Sequence, residues 1–261
     1  MRIAAFYEDL ARCGDLSATL DEAIGYGLEA VYISGNSLLA HPELPTLFEE
    51  KGLPIEGIHQ HFDFAHASNG LGYRTCVHLA AECRANSLLV VPGLILPEDD
   101  PVYAFGEMVL SVRKIYEYAK INYITVCIEP FDHLDSPTHN AAGLKRFLDN
   151  IPGLACAFDT GNFVCDNENP LAVWPQFVDK ICLLHLKDRY RRSTDGKGTL
   201  CSDGLYSPTA PVGSGVIPIK RIIARAKHLH VNAVIELCGC DDMMPALKSS
   251  LAYVRSCLGR R

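Results

Sequence analysis

Four polar residues stand where apolar runs end. Glu129 closes Ile-Thr-Val-Cys-Ile-Glu, Asp159 closes Leu-Ala-Cys-Ala-Phe-Asp, His185 follows Ile-Cys-Leu-Leu, and Glu236 follows Ala-Val-Ile. Alone, each has an ordinary explanation: a strand-end Asp caps turns, and a His beside a core strand is hydrogen-bonded. Together they are three carboxylates and one imidazole carried by four successive strands. Carboxylates buried side by side are costly unless something neutralises them, and no Arg or Lys is placed on all three carboxylate-bearing strands to do so. A divalent cation would. The donor set is hard and oxygen-rich, which suits Mn²⁺ first, with Mg²⁺, Co²⁺ or Zn²⁺ as alternatives, one ion per chain. Open positions on such an ion would take substrate oxygens.

The elements that must position these residues are a series of short, nearly continuous apolar runs. They read as strands at Ile3–Tyr7, Ala30–Ser34, Ile55–His61, Ser87–Pro92, Ile124–Glu129, Leu154–Asp159, Ile181–Lys187 and Ala233–Leu237. Runs such as SLLVV and ICLLH are what parallel strands covered on both faces look like. Helical segments fill the gaps: Ala18–Gly27 with Ser17 as cap, Ser37–Lys51, Tyr73–Ala85, Val102–Lys120, Asn140–Asn150, Pro170–Asp179, Pro218–His230 and Met243–Leu258. Strands that recur roughly every 30 residues with helices between them predict a single α/β domain over residues 1–261, a (β/α)8 TIM barrel. The alternative is a doubly wound open sheet, but no G-x-G-x-x-G follows the first strand. In a barrel the ends of strands five to eight converge on the C-terminal face, where barrel enzymes place their chemistry. Residues 188–215, rich in Gly, Ser, Thr, Asp and Arg, interrupt the alternation. They would lie over that face as a lid or substrate loop, or as a plain surface insertion.

Composition narrows the function classes. The chain has 261 residues, of which 48% are hydrophobic and 21% charged, as in soluble globular proteins. No apolar run reaches the ~20 residues that span a bilayer, and acidic residues come too early in MRIAAFYEDL for a secretory signal, so no membrane partner is expected and the cytoplasm is the default location. With a net charge of −7, no basic footprint for nucleic acid exists beyond the short tract Lys187, Arg189, Arg191, Arg192. The 11 cysteines form no C-x-x-C pair. They read as reduced thiols, many of them small core hydrophobes.

The motifs IEPFDH (128–133), FDTGN (158–162), HLKDR (185–189) and VIELC (234–238), with IEGIHQHF (55–62) and VGSGVIP (212–218), resemble the xylose isomerase-like barrel superfamily. The likeness is strongest to its sugar isomerase/epimerase branch and covers nearly the whole chain. It implies that Glu129, Asp159, His185 and Glu236 hold one metal ion and that Glu129 and Glu236 are the acid/base pair. The implied chemistry is proton abstraction beside the carbonyl of a small keto-sugar or polyol, through a metal-stabilised enediolate. Return of the proton to the same carbon gives epimerisation, return to the adjacent carbon gives isomerisation, and loss of a β-hydroxyl gives dehydration, as in inosose dehydratases. From another class, a non-catalytic barrel would bind a sugar or a partner protein, but it has no need of the intact set. A homo-oligomer is expected by resemblance alone.

Substrate contacts are expected at six further residues. His185 and Lys187 share a strand face; Lys187 could bind a hydroxyl or oxyanion, or pair with Asp188 or a ligand carboxylate. His59 and His61 share a face of strand three. Arg189 and Arg191 could meet a phosphate, a carboxylate or solvent. Asn162 stands where many relatives have His. It keeps hydrogen-bonding capacity but cannot exchange protons near neutral pH. The three-metal endonuclease IV branch needs histidines that this chain lacks. Gly213-Ser214-Gly215 could cradle a phosphate on backbone N–H groups or form a turn.

Overall fold

The computed structural model describes residues 1–66 and 71–260. Its eight long strands are β1 (Ile3–Phe6), β2 (Ala30–Ser34), β3 (Ile55–His61), β4 (Ser87–Val91), β5 (Thr125–Ile128), β6 (Ala155–Asp159), β7 (Ile181–Leu186) and, after four two-residue strands, β12 (Asn232–Ile235). All pair in parallel, and β1 closes the circle against β12 through Ile3 with Ala233 and Ala5 with Ile235. The result is a closed parallel barrel with alternating helices.

Strand alternation divides the core in two. Ile3, Ile33, Leu88, Ile128, Phe158, Leu184 and Ile235 face outward and join the helices in the larger apolar cluster. Ala4, Tyr32, Leu89, Cys127, Ala157, Leu183 and Val234 fill the barrel interior. The interior residues are mostly small, and Tyr32 is the exception. Its ring lies over Gly57, where a Cβ would collide with it, and its hydroxyl meets Ser87 Oγ at 3.1 Å. At the opposite end from the ligand cluster, the buried Glu56 accepts hydrogen bonds from Arg2, Asn86 and Asn232 and so ties β1, β3 and β12 together.

Several boundaries differ from the sequence-based expectation for local reasons. The first long helix is Leu16–Gly25, and its cap is Asp15, whose carboxylate accepts the Ala18 N–H at 2.8 Å. Ser17 therefore lies inside the first turn. The expected helix at 37–51 is two, Gly35–Ala40 capped by Ser34 and Leu44–Glu50, because Pro42 cannot donate to a continuing ladder. Pro170–Val173 is one short helix followed by 3₁₀ turns, and the helix expected from Pro218 is Ile219–Ala226. Residues 188–215 carry two short antiparallel pairs within otherwise irregular backbone. Asp188–Arg189 (β8) pairs antiparallel with Thr209–Ala210 (β11), and Thr199–Leu200 (β9) with Tyr206–Ser207 (β10).

Candidate metal centre

Each candidate ligand stands two residues beyond a residue of the barrel interior: Glu129 beyond Cys127, Asp159 beyond Ala157, His185 beyond Leu183 and Glu236 beyond Val234. The side-chain period of two therefore turns all four inward. Glu129 and Glu236 lie one residue past the ends of β5 and β12, yet the Glu236 N–H still donates to Leu186 O at 3.2 Å. One ligand atom from each of the four falls within 4.8 Å of all the others.

The cluster is almost dry. Asp159 and His185 are fully buried, and Glu129 is 8% exposed. Asp159 Oδ1 accepts the N–H groups of Gly161 and Asn162, both at 2.7 Å, which fixes the carboxylate through the turn of FDTGN. Its Oδ2 has no hydrogen-bond partner, nor do Glu129 Oε2 and both ring nitrogens of His185. His185 Nδ1 lies 2.8 Å from Glu129 Oε2, 3.5 Å from Glu236 Oε2 and 4.0 Å from Asp159 Oδ2. These atoms are close without the direction a hydrogen bond requires. Buried polar atoms are almost always satisfied, so the unpartnered Asp159 Oδ2 and Glu129 Oε2, gathered with one nitrogen of His185 and one oxygen of Glu236, fit ligands of a common cation. Their donor types suit a hard or borderline divalent ion.

Electrostatics say the same. Burial drives the Asp159 carboxyl well above the usual carboxylate range, and the charges of Glu236 and Glu129 add to this. Burial alone would lower His185, but Glu129 and Glu236 reverse it and hold the imidazole up to about 10. The site demands positive charge, as an ion or as protons. Glu236 behaves oppositely: burial opposes its ionisation, but Lys187 and His185 outweigh burial and keep it a carboxylate. The Phe6 and His185 rings pack edge to face, with centroids 5.2 Å apart.

A network beside the cluster rearranges several expected roles. Lys187 is 4% exposed, and its Nζ bonds Glu236 at 2.7 Å and Asp132 at 3.1 Å. Its partners are thus a ligand carboxylate and Asp132, and not Asp188. Arg189 is fully buried and does not reach the cavity. It donates to Asp132, Asn162 Oδ1, Gly161 O, Thr199 Oγ1 and Ser207 O. Asn162 is equally enclosed, with its amide on Pro130 O at 2.8 Å. Arg189 and Asn162 are therefore packed as struts behind Asp132, and neither lines the cavity. Arg191 is exposed and lies outside the cavity lining. A guanidinium two residues beyond Arg189 would share its face only in a continuing strand, and β8 stops at 189.

His59 and His61 do line the cavity, which opens above the cluster with a volume of about 1190 Å³. His59 Nε2 lies 3.0 Å from Glu8 Oε2, and His61 stacks edge-on against Phe131. Burial, helped by His59, lowers the His61 pKa. Lys197, Gly198 and Thr199 of the long loop contribute to the wall of the same cavity. Sequence reasoning missed Glu8 and Asp132. Glu8 follows β1 on the parity that turns Phe6 inward, and Asp132 sits within IEPFDH. Both signals were present, but neither residue ends a strand.

The family model described as xylose isomerase-like TIM barrel matches residues 34–257. No curated protein sequence matches the chain significantly. Among solved structures, the chain is similar to the probable 3-DHS dehydratase AsbF of Bacillus anthracis, involved in petrobactin synthesis, at 15% identity and a TM-score of 0.74, covering 97% of this chain and 98% of that one. It is similar to the 3-keto-D-glucoside 4-epimerase YcjR of E. coli at 18% and 0.73, covering 98% and 100%. A xylose isomerase-like TIM barrel protein of Mycobacterium smegmatis in complex with magnesium matches at 17% and 0.73, covering 98% and 96%. With the closed barrel and a family match over most of its length, the chain belongs to the xylose isomerase-like TIM barrel family.

Proposed function

We propose that the protein is a metal-dependent isomerase or epimerase of a small keto-sugar or polyol. The observation that carries this reading is the set of unpartnered ligand atoms on Glu129, Asp159 and His185, closed by Glu236, at the floor of a large cavity. These four residues would hold one divalent ion, Mn²⁺ first, with Mg²⁺, Co²⁺ or Zn²⁺ as alternatives. The ion would polarise a substrate carbonyl and its neighbouring hydroxyl and so acidify the C–H between them.

The remaining work falls to side chains. Glu236 is held ionised by Lys187 and can accept a proton from carbon. Glu129, which follows β5, three strands round the barrel from β12, can return one from another side. Asp132 anchors the Lys187 ammonium, which leaves its position fixed while Glu236 changes protonation. His59, held by Glu8, and His61 line the cavity and would bind substrate hydroxyls. Phe6, Leu89 and Phe131 supply apolar wall against C–H faces.

A dehydratase is the second reading. It draws on the placement of Lys187 Nζ, a proton donor beside Glu236 that could protonate a departing β-hydroxyl, and on the likeness to AsbF. The test begins with metal content of the purified chain and of Asp159→Ala by inductively coupled plasma mass spectrometry, followed by incubation of the loaded protein with ketoses and cyclic ketopolyols in D₂O. About one ion per chain, lost in the variant, with deuterium entering beside the carbonyl, supports the reading; products identified by NMR separate isomerisation from dehydration. A chain that takes up none of the four ions after reconstitution would sink it.

A further inference from the structure

The glycine-rich turn before the helix Ile219–Ala226 is built like an anion cradle, with several backbone N–H groups converging on one point. The cradle is already filled from within the chain. Asp188 Oδ2 accepts the N–H groups of Gly213 at 2.9 Å and Gly215 at 3.0 Å, while Oδ1 accepts those of Arg189 at 2.9 Å and Ile217 at 3.0 Å. Asp188 is fully buried. Gly215 is required for the fit, since a Cβ there would collide with Asp188 Oδ1 and Arg189 O. The carboxylate thus occupies the N–H groups that would otherwise hold an anion, and neither Asp188 nor these glycines line the cavity.

The other positive groups are committed as well. Lys187 is divided between Asp132 and Glu236, and Arg189 is spent behind Asp132 on five acceptors. On the floor, Glu129, Asp159, Glu236 and Asp132 supply four negative charges. A divalent ion with Lys187 and Arg189 supplies four positive ones, so no surplus is left for an anionic ligand. Besides the floor residues, Glu8, Asp9, Asp241 and Asp242 line the cavity, against one further lysine, Lys197, and the imidazoles of His59 and His61. Bringing a phosphate or carboxylate here would set like charges together in a partly dry site.

From this arrangement we infer that the site takes uncharged polyhydroxy carbonyl compounds and rejects phosphate esters and keto-acids. The inference rests on the sugar reading above and narrows its substrate class. Selectivity comes from the chain's own carboxylates: Asp188 occupies the glycine-rich turn, which is thereby closed to anions, and the acidic wall of the cavity repels them from the site itself.

The test titrates the metal-loaded full chain calorimetrically with matched pairs: D-fructose against fructose 6-phosphate, D-ribulose against ribulose 5-phosphate, and 2-keto-myo-inositol against 3-dehydroquinate. In every pair that binds, the uncharged member is expected to bind more tightly by about tenfold or more. An anionic member that binds equally or better overturns the inference. A second arm reads the cradle without catalysis or metal. Inorganic phosphate at millimolar concentration should raise the melting temperature of metal-free Asp188→Ala and leave metal-free wild type unmoved. Saturable stabilisation of wild type by phosphate overturns the inference even if the variant does not fold, and so does a metal-loaded chain that binds no uncharged member of any pair. Failure of the sugar reading itself is seen separately, as a chain that holds no metal.

Discussion

Replacement of Arg189 by Met should cost the protein a large share of its stability, although an arginine four residues beyond the cluster histidine His185 invites assignment to substrate binding. The guanidinium is fully buried and serves five acceptors: Asp132, Asn162 Oδ1, Thr199 Oγ1, and the carbonyls of Gly161 and Ser207. Methionine fills a similar volume without a donor. Removing one member of a buried ion pair costs about 3–5 kcal/mol, because the other charge is left uncompensated; here Lys187 still partly serves Asp132 at 3.1 Å, which favours the lower end. Each buried carbonyl left without a donor adds roughly 1–3 kcal/mol. The sum is on the order of 5 kcal/mol, a large share of the ~5–15 kcal/mol that stabilises a typical domain, and corresponds to a fall of roughly 10–20 °C in melting temperature. Arg189→Lys should fall between, since one ammonium cannot span acceptors in the turn after β6, on β9 and β10 and in the loop after β5. Urea unfolding followed by circular dichroism checks the magnitude. If Arg189→Met unfolds within about 1 kcal/mol of wild type and only sugar affinity suffers, the strut assignment is wrong and the residue reaches the ligand.

Three further outcomes can be checked on the same footing. Burial works against ionisation of Glu8, but His59, the Ser34 N–H and the Ser37 hydroxyl outweigh it and hold the carboxyl down to about 2, below its ordinary 4.5. A depressed carboxylate pKa stabilises above the unfolded value and loses that contribution as pH falls through the folded one. Glu8→Gln should therefore be less stable than wild type at neutral pH by on the order of 1 kcal/mol, allowing for solvent screening of a side chain 36% exposed, and the gap should close as urea titrations move from pH 5 toward about pH 2. Gly57→Ala would drive a methyl into the Tyr32 ring and Ser87 Oγ; thermal unfolding should show a loss of roughly 2–4 kcal/mol from overpacking and the broken Tyr32–Ser87 bond, and a neutral result would mean that the barrel interior yields more than this packing implies. A chelator should lower the melting temperature of metal-loaded wild type and leave Asp159→Ala unaffected, because an ion that binds only the folded chain stabilises by mass action.

Legibility in the sequence followed the range of the forces involved. The eight long strands could be read because burial on both faces leaves an apolar run whatever the neighbours are, and errors there were confined to one or two terminal residues. The four cluster residues could be read because a polar residue at the end of such a run is a local anomaly. Asp15 displaced Ser17 as helix cap, a choice between two adjacent good caps that turns on one hydrogen bond. The split helix after Ser34 was written in Pro42, whose missing donor outweighed the apolar periodicity around it. The loop after His185 was beyond such reasoning. Nothing near Arg189 in sequence says that Asp132, 57 residues earlier, will meet it, and a charged residue in a polar stretch carries the signature of exposure. Glu8 was hidden similarly, because its partners His59, Ser34 and Ser37 come from the next two βα units.

The same alternation that builds the barrel also partitions its mouth. Interior positions below the mouth are Ala4, Cys127, Ala157, Leu183 and Val234, and two residues beyond them stand Phe6, Glu129, Asp159, His185 and Glu236. A slip of one residue in any strand would exchange a ligand for a residue of the helix-facing layer, so fold and site are specified by one pattern and cannot drift apart. The register also sets which half of the mouth does what. Strands β5, β6, β7 and β12 are neighbours in the barrel, and they carry all four cluster residues with Lys187 and Asp132 beside them. Across the cavity, β1, β3 and β4 present Phe6, His59, His61 and Leu89. A ligand held through oxygens on the first half would therefore rest its remaining carbons against rings and a leucine on the second. The consequence is a division between chemistry and selection: changes on β5 to β7 and β12 should alter whether metal is held, whereas changes at Phe6 or Leu89 should alter which ligand fits while metal content stays intact.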